Sequence, residues 1–220
     1  MLISLSHRFV FVANVKTAST SIEAALRPYT EIAISETRFG KHIGLAEIEK
    51  RFDFIFRKQP LSSFFVFAVV RDPVDMLVSV YSSHHKPEFK GERHYTGDLT
   101  FDQFLETFRQ RQSWQLVPQA QRLRDRTGRL HMDYIIDFDR LPAQFDEVLS
   151  LIGLPPTALP TFNESPDVMS VADVPAETRA RIAEDYKRDY RILRLMAGRW
   201  LRAPEPGTGP DAPAAMEARP

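Results

Sequence analysis

The sequence predicts an α/β domain of three layers, a central parallel β-sheet flanked by helices, and two observations carry that prediction. Residues 9–13 (FVFVA) and 64–70 (FFVFAVV) are aromatic and β-branched runs without polar alternation, the pattern of strands buried on both faces. Each run is followed by a short polar turn and a helical pattern, Ser19 to Leu26 after the first and Pro73 to Ser83 after the second. Strand, turn and helix in alternation is how a parallel sheet is built.

The remaining elements follow from apolar spacing. Helices are predicted at Phe101 to Arg111, around Gln119 to Arg126, and from Pro175 to about Met196, where Ile182, Tyr186 and Leu193 recur on one face, and all three are expected to cover the sheet. Tyr134 to Phe138 (YIIDF) reads as a third strand. Leu141, Phe145, Val148, Leu149 and Ile152 form one helical face behind it, closed by Gly153 with Pro155 and Pro156 beyond. Residues 1–202 are read as one domain. Ala203 to Pro220 hold five prolines, two glycines and five alanines, too little apolar surface to order themselves, and are expected to be disordered.

Composition narrows the functional classes. The 220 residues carry 29 lysines and arginines against 29 aspartates and glutamates, so the net charge is zero and bulk attraction to nucleic acid is not indicated. No cysteine occurs, which excludes disulfides, thiolate metal sites and thiol redox chemistry and suits a reducing cytosol. The longest apolar run, Phe64 to Val70, is far short of the ~20 residues that span a bilayer, and His7 and Arg8 interrupt the apolar start where a secretory signal would need continuity. A soluble cytoplasmic protein is expected.

Two segments suit phosphate binding. After the first strand comes Asn14-Val15-Lys16-Thr17-Ala18-Ser19-Thr20-Ser21, small hydroxyl residues and one lysine opening a helix. A helix N-terminus offers unpaired N–H groups and the positive end of its dipole, and Lys16 adds a full charge. Its simpler alternative is that Ser19 only caps a helix. In the ATP-binding loop G-x-x-x-x-G-K-[ST] the glycines would fall at Val10 and Val15, so an ordinary NTPase cradle is absent. The second segment is Val70-Arg71-Asp72-Pro73, continuing to Ser79-Val80-Tyr81. Asp72 reads as an N-cap, Pro73 as the first helical residue, and Arg71 as a phosphate clamp at the strand's C-terminal lip, with Ser79 as a second donor. Alternatively Arg71 pairs with Asp75 and Ser79 is a buried helix serine.

Together these segments resemble the superfamily of sulfotransferases that use 3′-phosphoadenosine 5′-phosphosulfate (PAPS), whose loops read K-T-x-[ST]-T-S and R-D-P-x5-S-x-Y. The resemblance extends over roughly residues 8 to 197, taking in Tyr134 to Pro155, Phe162-Asn163-Glu164-Ser165 and Ala183 to Tyr190 (AEDYKRDY), the last two similar to the carbohydrate-directed branch. Met76, where that branch often has arginine, departs from it. The resemblance implies a P-loop-like fold and PAPS as donor, leaving 3′,5′-adenosine bisphosphate (PAP), with no metal. It also implies that Lys16, Thr17, Ala18, Ser19, Thr20 and Ser21 hold the 5′-phosphosulfate, that Arg71 and Ser79 hold the 3′-phosphate, and that Lys16 stabilises the leaving group.

Transfer to a hydroxyl or amine of a carbohydrate-like acceptor needs a general base with a pKa near neutral, and histidine suits it. Lys41-His42, ahead of a helix bearing Leu45, Ile48 and Phe52, resembles the segment where the carbohydrate branch places its base, which makes His42 the candidate and His84 or His85 the alternatives. Six arginines against one aspartate between Arg109 and Arg129 offer a patch for an acidic glycan, or form a solvated helix face. Two further readings stand beside this one: a catalytically silent nucleotide- or glycan-binding module of the same fold, and a P-loop-type kinase.

Overall fold

A computed structural model describes residues 1–35, 40–160, 162, 166, 168–199 and 201. In chain order its elements are β1 (Leu2–Ser4), β2 (Phe9–Val12), α1 (Ser19–Leu26), β3 (Ile32–Ala33), α2 (Leu45–Arg51), β4 (Phe65–Val70), α3 (Pro73–Ser83), α4 (Phe101–Gln110), α5 (Gln119–Arg122), β5 (Tyr134–Asp137), α6 (Leu141–Leu151), α7 (Ala176–Asp185) and α8 (Lys187–Leu195). Residues 163–165 and the proline-rich tail lie outside the described residues. No described helix is long and apolar enough to cross a membrane.

The sheet is mixed rather than wholly parallel, in the order β3-β1-β2-β4-β5. The three strands read from sequence, β2, β4 and β5, are parallel, in the registers Val12↔Ala68 and Val70↔Asp137. Antiparallel β1 and β3 extend one edge. At three and two residues they are too short for period or composition to mark them. Gly198 and Leu201 donate their amides to the Ile135 and Asp133 carbonyls, which covers the β5 edge.

Alternation along the strands builds two cores. Val10, Val12, Val66, Ala68, Val70 and Ile135 face a layer holding Leu45 and Ile48 of α2, Ala120 of α5 and Ile192 of α8. Phe9, Phe11, Phe67, Val69, Tyr134 and Ile136 face the other layer, with Ile22 and Leu26 of α1 and Phe145, Val148 and Leu149 of α6. Gly153, at φ 70°, ends α6 in a Schellman motif: its amide reaches the Ser150 carbonyl, and that of Leu154 reaches Leu149 at 2.8 Å.

Two helix expectations are corrected. α4 and α7 do not lie on the sheet but join α3 in a third cluster of Leu77, Val80, Tyr81, Phe104, Phe108 and Ile182. The last helix is also two helices, broken at Tyr186. The break has a packing cause, since Ile182 and Tyr186 serve the third cluster whereas Ile192 serves the sheet.

Phe67 is wholly buried, with the rings of Phe9, Phe11 and Phe65 at 5.2–6.2 Å. Phe67→Ala is expected to cost about 3–5 kcal/mol in urea unfolding. Phe54→Ala, at a side chain 61% exposed, is expected to cost less than about 0.5 kcal/mol, and equal losses at the two positions would contradict this core.

Candidate active site

Parallel pairing brings the C-terminal ends of β2, β4 and β5 to one edge, where ligands of open α/β sheets bind. The turn after β2 is held from below. Asn14, fully buried, donates Nδ2–H to the Val69 carbonyl at 2.8 Å, and the Thr17 hydroxyl donates to the Asn14 carbonyl at 3.1 Å. Lys16 and Ala18 both take left-handed backbone angles, φ 56° and 53°, which non-glycine residues adopt at a cost of about 1 kcal/mol each. Such turns gather N–H groups toward one side, the geometry of an anion nest.

Ala18 is the N-cap of α1, with no side-chain hydrogen bond and no acidic residue in the first turn. Ser19 is therefore not the cap that the simpler reading proposed. The first-turn amides of α1 have no side-chain cap, whereas in α3 the Asp72 carboxylate accepts from Val74 and Asp75, as its sequence position predicts. Val10, where a nucleotide-triphosphate loop would place its first glycine, lies inside β2.

Arg71 joins the lips of all three strands. Its Nη1 donates to the Lys16 carbonyl at 3.0 Å, and its Nε and Nη2 engage both oxygens of Asp75. The guanidinium carbon also sits 4.2 Å from the centre of the Phe138 ring, just past β5. Arg71 thus makes the ion pair with Asp75 while also reaching the loop after β2. Of five N–H donors three are used, so one on each Nη remains for an anion. Ser79 is buried four residues beyond Asp75, on the same face of α3.

Burial, reinforced by the charges of Arg71 and then Lys86, lowers the Lys16 ammonium to about 8. A second lysine reaches the same loop, since Lys41 Nζ donates to the Thr20 hydroxyl at 2.9 Å and to Glu23 Oε2 at 2.8 Å.

His42 lies beside this loop. Its Nδ1 is 3.0 Å from the Ala13 carbonyl and must carry the proton, because a carbonyl only accepts. That leaves Nε2 with its lone pair and no partner among the described residues. The ring stacks on Trp114 at 5.6 Å, and buried Arg122 ties the pair by donating to the carbonyls of His42 and Trp114. The near-neutral pKa expected of a base is corrected: burial lowers His42 to about 4, with Lys41 and Arg122 adding to the effect.

His84 also donates Nδ1–H to a carbonyl, that of Val80, but its Nε2 is occupied by the Gln115 amide at 3.1 Å. His85 packs against Tyr81 with its Nδ1 buried and unpaired. Of the three candidates, His42 is the one whose tautomer is fixed by a hydrogen bond while its second nitrogen has no partner among the described residues.

A cavity of about 580 Å³ adjoins, lined among others by His84, Arg93, His94, Arg111, Trp114 and Gln115. The arginine patch expected between Arg109 and Arg129 is not one surface. Arg109 pairs with Asp185, Arg122 is buried, Arg124 donates to the Gly128 carbonyl, and Arg111 alone of the six lines this cavity. Sequence reasoning missed Lys41 as a loop contact, and Trp114, Arg122 and Phe138 as supports. Their roles arise from tertiary packing, not from a local pattern.

The pKa of His42 gives a sign. In the unfolded chain it titrates near 6.5, so between about 6.5 and about 4 the unfolded state binds the extra proton. Stability contributed by neutral His42 is in place above about 6.5 and lost as pH falls toward about 4. The thermal midpoint of His42→Asn is expected to fall less over that window than that of the wild type, and identical profiles would contradict the burial of His42.

A family model described as "Sulfotransferase family" matches residues 1–195, which takes in β1 ahead of the stretch from residue 8 on which the resemblance rested. No curated protein and no solved structure gives a significant match. With the family match spanning the sheet, both candidate loops and the helices around them, the chain belongs to the sulfotransferase family.

Proposed function

We propose that this protein transfers the sulfuryl group of PAPS to a hydroxyl, or an amine, of a carbohydrate-like acceptor. The observation that carries the reading is the Arg71–Lys16 hydrogen bond, which sets a strained, uncapped helix N-terminus beside an arginine with N–H groups to spare. In this reading the loop from Lys16 to Ser21 holds the 5′-phosphosulfate through backbone amides and hydroxyls. Arg71, with Ser79 behind it, holds the 3′-phosphate. The acceptor occupies the neighbouring cavity, whose lining residue Trp114 stacks on His42.

Sulfuryl transfer runs in line through a loose transition state, so position and charge stabilisation do most of the work. The acceptor oxygen bonds to sulfur, and the bond from sulfur to the bridging oxygen breaks. Its electron pair stays on the 5′-phosphate of PAP, where the Lys16 ammonium meets the charge. The acceptor proton passes to His42 Nε2.

Thermal unfolding with PAP beside ATP, ADP and AMP tests the donor. At 100 times its dissociation constant a ligand adds about 2.7 kcal/mol, a shift of roughly 5–10 °C for a domain of this size. A shift with PAP well above that with AMP is expected. A shift with ATP alone would favour a kinase, and no shift at all would overturn the reading.

His42→Ala is expected to lower radiolabel transfer from PAPS by about 10²–10⁴-fold while PAP affinity stays unchanged. Wild-type turnover in this variant would remove His42 as the base. PAP binding without transfer to any of a panel of glycans would favour a silent module.

A further inference from the structure

Arg71 is the first residue beyond β4, where the ladder to β5 stops at Val70↔Asp137. Its main-chain N–H and C=O therefore need partners from elsewhere, and one side chain supplies both. Gln119 Oε1 accepts the Arg71 amide at 3.0 Å, and Gln119 Nε2 donates to the Arg71 carbonyl at 2.8 Å. This two-point pairing copies a rung of sheet and holds the main chain from which the guanidinium projects.

Gln119 is itself fixed. It is 1% exposed, and its orientation is set by Asp189 on α8, which is wholly buried and can only accept while ionised. Asp189 Oδ2 takes the Gln119 backbone amide at 2.8 Å and lies 3.4 Å from Gln119 Nε2, while Oδ1 takes the Ala120 amide at 2.8 Å. The next residue, Tyr190, hydrogen-bonds the side chain of Asp72. The Asp189-Tyr190 pair thus holds the Arg71-Asp72 corner twice, once through Gln119 and once directly. Among the described residues Lys16 and its loop make no hydrogen bond to Gln119 or Asp189, and they meet this network only through the Arg71 side chain.

We infer that Gln119 is a positioning residue for Arg71, acting through the Arg71 main chain, and so determines selectivity for a nucleotide with a 3′-phosphate over one without it. This rests on the reading of Arg71 as the 3′-phosphate ligand. Without Gln119, two partly buried main-chain groups lose their partner and the corner relaxes to satisfy them. The guanidinium then loses its direction and its bond to the Lys16 carbonyl, whereas the turn before α1 keeps the Asn14–Val69 and Thr17–Asn14 hydrogen bonds that hold it independently of Gln119. The loss falls on the 3′-phosphate and spares the 5′-phosphate.

The test is calorimetric titration of wild type and Gln119→Leu with 3′,5′-adenosine bisphosphate and, separately, with AMP. The bisphosphate is expected to weaken about tenfold or more and AMP to stay within about twofold. A purely structural role would weaken both together. Equal losses for the two ligands, or an unchanged preference, overturn the inference while the wild-type preference still supports Arg71 as the ligand. A wild type that binds bisphosphate no better than AMP overturns both. If circular dichroism shows Gln119→Leu unfolded, Gln119→Glu takes its place: it keeps the acceptor for the Arg71 amide but turns an oxygen toward the Arg71 carbonyl and Asp189. The same selective loss is expected from it, and its absence overturns the inference.

Discussion

The parallel register of β2, β4 and β5 is the constraint on which the site depends. Pairing Val12 with Ala68 and Val70 with Asp137 makes the three strands end together, so the turn at Asn14, the corner at Arg71 and the ring of Phe138 emerge side by side. A change of one residue in either register would exchange the two cores, moving the phenylalanines of one face into the space of the valines on the other. The side chains that mesh above and below the sheet therefore also align its functional edge.

Elements whose signal is local were legible in the sequence. Continuous apolar runs marked the three parallel strands, and Asp72-Pro73 marked the start of α3 because cap and first-turn chemistry are written in adjacent residues. The antiparallel edge was not legible, since β1 and β3 gain their structure by pairing and carry no period of their own. The site divides in the same way. Lys16 and Arg71 stand in motifs, whereas Gln119 and Arg122 act across distances in sequence that no window spans. The arginine-rich run shows the opposite failure. Its local charge suggested one surface, but folding sends Arg122 inward and pairs Arg109 with Asp185.

A chain with no net charge can still gather several cations at one edge, with carboxylates among them to orient two of those cations. Lys16, Lys41, Arg71 and Lys86 gather around the first loop, and each of Lys41 and Arg71 is oriented by a carboxylate as well as by a hydroxyl or carbonyl. Orientation matters more here than charge count. Asp75 removes part of Arg71's net charge but holds its plane, which in the proposed function would reduce the entropy an incoming anion must remove from a long side chain. The left-handed Lys16 and Ala18 fit the same proposal, since a loop strained in folding would not need to reorganise to take an anion.

The low pKa of His42 fits the proposed reaction when the donor's charge is counted. In the empty site burial and two neighbouring cations disfavour the imidazolium, so the ring is neutral at pH 7 and its Nε2 lone pair is available, but its basicity is weak. A phosphosulfate held by the adjoining loop brings negative charge against those cations, and opposite charge raises the pKa of an imidazole. The Nδ1 bond to Ala13, the last residue before Asn14, ties the ring to the strand that leads into that loop and so fixes which nitrogen accepts the proton. In the proposed reaction His42 would be a weak base without the donor and a stronger one beside a bound phosphosulfate.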